Sequence, residues 1–259
     1  MNPPAAALKP VAEIRASVSA EEWQTRIDLA AAYRLVAHFG WDDLIFTHIS
    51  ARVPGPDEHF LINPYGWMFN EITASSLVKV DLDGNIVSPT EHIINPAGFT
   101  IHSAVHAARH DVGCVMHLHT GDGIAVSAMA EGLLPLSQTA MVALGNLSYH
   151  EFEGIALDLG ERERLVKDLG QNNLMILRNH GTLTCGRTVA QAFLSMHLLE
   201  RACQAQVRAL AGGRPLHIPP QAVQDNVKQQ VRGMKIDVSS LAWAGLLRLL
   251  DEKNPGYRS

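Results

Sequence analysis

The chain has 259 residues, 47% of them hydrophobic and 18% charged, which excludes an intrinsically disordered protein and allows one large domain or two small ones. The net charge of -5 comes without any basic run, so no nucleic-acid partner is expected. The apolar stretches are too short for a membrane span, and residues 1–10 lack the apolar core of a signal peptide. Three cysteines without a Cys–X–X–Cys pair indicate a reducing compartment, so we expect a cytoplasmic protein.

In chain order, residues 1–20 are predicted to be a flexible arm. Asp83-Gly84 between two apolar runs predicts a tight hairpin, and Asn95-Pro96 predicts a capped helix start. Thr188, with Gln191 three residues later, predicts a capping box at the start of a long helix. The predicted helices are 21–39, 96–109, 121–131, 159–169, 188–211 and 239–250. The predicted strands are 44–53, 59–62, 77–82 with 85–87, 114–119, segments up to 149, 174–177 and 182–185.

These elements mix without a regular βαβ alternation. The pattern favours either an α+β fold or an α/β/α sandwich around a mainly antiparallel sheet. The tail after residue 212 carries one further predicted helix. We divide the chain into an arm (1–20), a main domain (21–212) and a C-terminal helical extension packed on it (213–259).

Histidine is the residue type that carries the strongest chemical signal. The chain has 13 histidines, and six of them fall between residues 92 and 119. His117 and His119 lie on one predicted strand, where alternate side chains point to the same face and two imidazoles can share a metal ion. His180, just before Gly181, stands where a buried strand turns abruptly and is a third candidate. The alternative is that such histidines are merely hydrogen-bonded at strand ends.

Other histidines give weaker signals. His102, His106 and His110 are spaced four apart on a predicted helix, which is explained more simply by a semi-buried polar face than by a metal or proton-relay site. His48 lies in a predicted strand at alternate spacing and could line a pocket. Neither a nucleophile elbow nor a Walker-type phosphate loop is present.

The spaced motifs Asn95–Arg109, His117-Leu-His119 and Leu177-Arg-Asn-His-Gly181 resemble the class II aldolase/adducin family. Phe60–Gly66 and Thr73–Val80 match it as well. The resemblance covers about residues 22–212 and is strongest to the head domain of adducin and its bacterial relatives.

This resemblance implies a three-layer α/β/α sandwich with a central, mostly antiparallel sheet. It also implies a homotetramer, or another ring-like oligomer, with active sites at subunit interfaces, and a small-molecule substrate. In the family's enzymes three histidines hold a divalent metal, usually zinc, which acts as a Lewis acid while a carbon–carbon bond is cleaved or formed. These ligands correspond to His117, His119 and His180, and iron or manganese are the other metals to consider.

The chain departs from the aldolases at the positions that perform their acid–base and phosphate chemistry. The catalytic glutamate corresponds to Gly98, and the two serines before it correspond to Pro96 and Ala97. The Gly-Asn pair of the phosphate loop corresponds to Thr47 and His48. The aldolase tyrosine falls near Met141. A sugar-phosphate aldolase is therefore not expected.

Three functions stay open. The first is a metal-dependent lyase or decarboxylase acting on a small non-phosphorylated carbonyl compound or oxo-acid, with His48, Glu91 or a metal-bound hydroxide as the base. The second is a non-haem iron oxygenase acting on an aromatic oxo-acid, since three histidines with open positions can hold ferrous iron. The third is a non-catalytic assembly module like the adducin head, although the chain has no lysine-rich tail like that of adducin.

Overall fold

The computed structural model describes residues 11–154 and 160–259. The first ten residues of the predicted arm and position 159, the predicted start of a helix, lie outside the described residues. Within the rest of the predicted arm, helix α1 (Val11–Ala16) forms. Ser19 then caps the next helix, its side chain accepting a hydrogen bond from the Glu22 amide at 3.0 Å.

Seven strands form a single sheet in the order β3-β2-β1-β4-β7-β6-β5. Every neighbouring pair is antiparallel except β5 and β6, which run parallel. The predicted α/β fold with a mostly antiparallel sheet is therefore confirmed. The strands are β1 (His48–Arg52), β2 (Phe60–Ile62), β3 (Val78–Val80), β4 (Cys114–Leu118), β5 (Leu147–His150), β6 (Leu174–Leu177) and β7 (Gly181–Gly186).

Helices cover both faces of the sheet. On one face, α2 (Ala20–His38) and α7 (Val189–Ala211) pack against Cys114, Met116 and Leu118. On the other face, α3 (Pro96–Ala108) and α6 (Glu161–Leu169) pack against Val115 and its neighbours. The alternation along β4 matches a strand that is buried on both faces. It places His117 on the α3 face of the sheet.

Two short helices, α4 (Gly121–Ser127) and α5 (Gln138–Leu144), connect β4 to β5. Helix α4 falls within the predicted helix 121–131, whereas the expectation of strand-like segments from there to residue 149 was wrong at α5. The apolar run within 138–144 is helical because Ser137 caps it, accepting a hydrogen bond from the Ala140 amide at 3.1 Å. The predicted hairpin after β3 is reduced to an isolated antiparallel bridge between Val80 and Ile86.

The tail holds two helices, α8 (Gln221–Gly233) and α9 (Val238–Lys253), of which only α9 was predicted. Helix α9 packs on α2 and α7, and the Trp243 indole donates a hydrogen bond to Asp28 at 3.0 Å. Helix α8 carries valines spaced four apart but buries none of its residues. Over the described ranges, every helix is too short or too polar to cross a membrane.

Candidate metal centre

The ends of two adjacent strands bring three histidines together. His117 lies in β4 and His119 follows directly after that strand, so both side chains project on the same side. His180 immediately precedes β7, which pairs with β4 in an antiparallel register. Asn179 adopts a left-handed conformation with φ of 55°, which turns the chain sharply into His180. Asparagine is among the residue types that tolerate this conformation best.

The three imidazoles converge on one point. Their ring centroids are 4.7 to 4.8 Å apart, and one nitrogen of each ring lies within 4.8 Å of the other two. The Nε2 atoms of His117 and His119 are 3.0 Å apart. Ligand nitrogens of a tetrahedral zinc site lie about 3.3 Å apart, so the arrangement is close to that of a three-histidine site.

The other nitrogens of the His117–His119 pair face groups that only accept hydrogen bonds. Nδ1 of His117 lies 3.0 Å from the carbonyl oxygen of Thr182. Nδ1 of His119 lies 3.1 Å from a carboxylate oxygen of Asp43. Both Nδ1 atoms must therefore carry the proton, and in the neutral rings both Nε2 atoms carry lone pairs. Such Nδ1 partners are typical of histidines that bind metal through Nε2.

Two lone pairs facing each other at 3.0 Å repel unless a cation lies between them or one ring is protonated. Protonation is disfavoured because burial, with His180 as the next contributor, holds the pKa of His117 well below its usual range. Burial, with His119 nearby, likewise lowers the pKa of His180 to about 4. The converging nitrogens therefore fit a divalent metal held by His117, His119 and His180.

His48 lies beside this triad and packs against Gly98. Its ring centroid is 5.2 Å from that of His117. A Cβ atom placed on Gly98 would lie only 2.4 Å from Cδ2 of His48. The His48 ring therefore occupies the space into which any side chain at position 98 would extend. Gly98 and His48 are coupled: a carboxylate at 98 and this position of the imidazole exclude each other.

A second histidine cluster extends from His48 into the interior. His48 Nδ1 lies 2.8 Å from Nε2 of His102. The Ser50 hydroxyl then links Nδ1 of His102, at 2.5 Å, to Nε2 of His106, at 2.8 Å. All four residues are buried. His110, the third member of the predicted helical stripe, lies beyond the end of α3 and is exposed.

The structure does not bring Glu91 to the triad. Glu91 is exposed and lines a separate cavity with Lys79, Ser88 and His92. Met141 lies in α5, with its side chain mostly buried. Of the two weak candidates for a catalytic group, only His48 lies next to the converging histidines.

Sequence reasoning missed Asp43, which contacts His119. Asp43 lies in the connection between α2 and β1, beside a second aspartate, and no local pattern distinguishes it from a surface residue. The only available signal is general, because a metal-binding histidine usually donates its second N–H to a carboxylate or carbonyl group. That rule predicts a partner but not its position in the chain.

Comparison with known proteins agrees with this architecture. The model of the class II aldolase and adducin N-terminal domain matches residues 27–207. A Caulobacter vibrioides protein with a provisional class 2 aldolase name is 60% identical over 250 residues, covering 96% of this chain and 97% of that protein. Mouse alpha-adducin is 49% identical over 209 residues, which are 78% of this chain and 28% of alpha-adducin.

Solved structures give the same result. An aldolase II superfamily protein from Pseudomonas syringae is 54% identical and superimposes with a TM-score of 0.91 over 95% of this chain and 99% of that one. The L-fuculose 1-phosphate aldolase of Glaciozyma antarctica is 26% identical, with a TM-score of 0.80 over 97% of this chain and 96% of that one.

Proposed function

Because this chain belongs to the class II aldolase and adducin family, we propose that it is a metal-dependent enzyme with lyase or decarboxylase-type chemistry. Its substrate is proposed to be a small, non-phosphorylated carbonyl compound or oxo-acid. The observation that carries this proposal is the convergence of three imidazoles, two of them oriented by Nδ1 hydrogen bonds to Thr182 and Asp43. When bound there, a divalent metal such as zinc would polarise a substrate carbonyl as a Lewis acid.

The residues around the triad favour a reaction other than sugar-phosphate cleavage. Gly98 provides neither a carboxylate ligand nor a proton-transferring group. Pro96 and Ala97 begin helix α3 and have no side-chain hydroxyl that could hold a phosphate. Thr47 and His48 are buried, and their side chains add no positive charge because burial keeps the pKa of His48 well below its usual range.

We assign proton transfer to His48. Its Nδ1 is held by His102, which fixes the ring plane, whereas its Nε2 has no hydrogen-bond partner among residues 11–154 and 160–259. A fixed neutral imidazole with one free nitrogen can accept or donate a proton at that atom. Glu91 would have to reach the site from another subunit, since within one chain it lines a different cavity.

Metal content tests the proposal. Untagged protein, purified anaerobically without chelators, is compared by mass spectrometry with His119→Ala and with His110→Ala, which removes an exposed histidine. We expect about one zinc or manganese per chain, lost only in His119→Ala. Iron instead would favour an oxygenase and a screen for dioxygen consumption with aromatic oxo-acids. No metal, even after reconstitution, would contradict an enzyme and favour an adducin-like assembly module.

Activity then tests His48. Loaded protein is screened against small 2-oxo acids and hydroxycarbonyl compounds for loss of substrate. With any substrate found, His48→Gln is expected to lower kcat about 100- to 10,000-fold while metal content stays unchanged. A His48→Gln variant with undiminished kcat would refute its role in proton transfer without affecting the metal centre.

A further inference from the structure

A buried carboxylate, which the proposed reaction does not use, lies behind the candidate metal centre. Glu200, on α7, is 4% exposed and lies on the face of the sheet opposite the triad. It accepts a hydrogen bond from the Thr182 hydroxyl at 3.1 Å and a second, short one from the Thr120 hydroxyl. Within the described part of the chain it has no cationic partner.

Such a group is unfavourable to bury. Removing a carboxylate from water without a compensating cation destabilises the folded state, and two hydroxyl groups offset only part of that penalty. Burial accordingly raises the pKa of Glu200 to about 7, although the hydrogen bonds from Thr120 and Thr182 lower it and Asp122 raises it further. Burying an apolar or amide side chain at this position would cost less free energy, so the presence of a carboxylate needs another explanation.

Both hydroxyl partners belong to the segments that carry the histidines. Thr120 follows His119 in the chain, and Thr182 comes two residues after His180. Thr182 is used twice: its hydroxyl binds Glu200 on one side of the sheet, while its carbonyl oxygen accepts the Nδ1–H of His117 on the other. A single residue, Thr182, thus connects Glu200 to the carbonyl oxygen that orients His117.

We propose that Glu200 is a positioning residue for the metal, which ties together the two ligand-bearing segments and supplies a buried negative charge behind the cation. This inference rests on the proposed metal function. Imidazole ligands bring no negative charge, so three of them leave the full charge of a divalent ion uncompensated. Asp43 acts through His119, and Glu200 acts through Thr182, so that two carboxylates offset the two positive charges from opposite sides.

The packing around Glu200 is tight enough to transmit its position. Helix α4 begins at Gly121, capped by Thr120, whose hydroxyl accepts a hydrogen bond from the Gly123 amide at 3.1 Å. A Cβ atom on Gly123 would lie 2.6 Å from Thr120 Oγ1 and 3.1 Å from Glu200 Oε1. Any side chain at position 123 would therefore push on this network.

The test is metal affinity measured without any substrate. Zinc dissociation constants are determined by chelator competition for the wild type, Glu200→Gln, Thr182→Val and Gln206→Leu. Gln206 is the matched control, since it is buried on the same helix and its hydrogen bonds, with Leu134, Gly132 and Met129, lie away from the triad. Visible absorption spectra of the cobalt(II)-loaded proteins report the ligand geometry directly.

We expect about 10- to 100-fold weaker zinc binding for Glu200→Gln, with altered cobalt(II) bands. Thr182→Val should weaken binding in the same direction, and Gln206→Leu should bind like the wild type. If Glu200→Gln does not fold, as judged by circular dichroism, Thr182→Val decides the outcome because it keeps the carboxylate. Equal affinities in the wild type, Glu200→Gln and Thr182→Val would overturn the inference, as would an equal loss in Gln206→Leu.

Failure of the inference is distinguishable from failure of the proposed function. If the wild type and Glu200→Gln bind zinc equally tightly, the metal centre stands and only the role of Glu200 is refuted. A wild type that binds neither zinc, manganese nor iron refutes the metal centre and, with it, the role of Glu200.

Discussion

Two groups of three histidines lie side by side on one face of the sheet, and their ring nitrogens are used differently. In the triad of His117, His119 and His180, one nitrogen of each ring points to a common centre. In the second group, His48, His102 and His106 are joined in a chain, with Ser50 as a link. The partner of the ring nitrogen that faces away from the site determines whether a buried histidine can serve as a metal ligand. A partner that only accepts leaves a lone pair free on the other nitrogen, whereas His102, in the middle of the chain, has both of its nitrogens engaged.

The largest expected difference between the two groups is their response to metal. At a zinc concentration a thousand times Kd, binding should add about 4 kcal/mol to the free energy of unfolding. We expect this gain to vanish in His119→Ala and to persist in His106→Ala. Urea unfolding with zinc or with a chelator measures it. A gain of equal size in both variants would show that zinc binds elsewhere.

The second group should matter most in the absence of metal. His102→Ala removes the link between His48 and Ser50: it leaves Nδ1 of the buried His48 without a partner and Ser50 with only His106, which should lower the free energy of unfolding by about 3 kcal/mol. Urea unfolding of metal-free protein checks this value. Exposed His110→Ala should stay within about 0.5 kcal/mol of the wild type. If His102→Ala lowers the free energy of unfolding no more than His110→Ala does, the chain of histidines adds no stability.

Gly98 lies where the two groups meet. Gly98→Ala would place a methyl group 2.4 Å from Cδ2 of His48, so the ring must move, and we expect a loss of about 1–3 kcal/mol. Gly212→Ala is the control, because nothing lies within 4 Å of the added Cβ atom there. Thermal unfolding of metal-free protein measures both. Equal effects of the two substitutions would contradict the close packing of His48 on Gly98.

Acid should destabilise the folded protein through the histidines of the second group. Burial lowers the pKa of His106 from 6.5 to about 3, and that of His102 shifts in the same direction. Between about pH 6.5 and 3 the unfolded chain therefore binds protons that the folded protein does not, and stability falls as the pH falls. Each histidine contributes a slope of at most about 1.4 kcal/mol per pH unit. Urea unfolding between pH 7.5 and 5 should show a shallower slope for His106→Gln than for the wild type.

The smallest effect is expected at the edge of the triad. Asp43 is partly exposed and reaches the centre only through Nδ1 of His119. Asp43→Asn should weaken zinc binding about tenfold, the lower end of the range for groups that orient ligands. Asp42→Asn is the neighbouring control, and chelator competition measures both. Equal affinities for the two variants would mean that the Asp43 carboxylate does not tune the site.

The parts of the site that the sequence predicts are those set by local periodicity. Alternation along one strand suffices to place His117 and His119 together, and the turn before Gly181 marks His180. The spacing of four predicts a semi-buried helix face for His102, His106 and His110; the first two share a buried face of α3, whereas His110 lies beyond the helix and is exposed. Asp43 and Glu200 could not be predicted, since each reaches the site from an element distant in the chain. Packing between elements, and not any local pattern, makes them partners.

The accuracy of the predicted helices likewise depends on local signals. Helices 96–109 and 188–211 were predicted well because Asn95 and Thr188 cap them, although only half of the predicted capping box forms at Thr188. The Thr188 hydroxyl accepts from the Gln191 amide, whereas the Gln191 side chain binds the Arg187 amide. Helix α5 was mistaken for strand because a short apolar run has no distinctive period.

The antiparallel pairing of β4 with β7 also has a kinetic consequence. The first two histidines and the third belong to segments separated by α4, α5, β5, α6 and β6, so their nitrogens cannot meet until β7 has docked in the middle of the sheet. Closing so long a stretch of chain is slow compared with forming a local hairpin. A register error of one residue would turn His117 away from His180. Metal uptake during refolding would thus report when the central strands reach their native alignment.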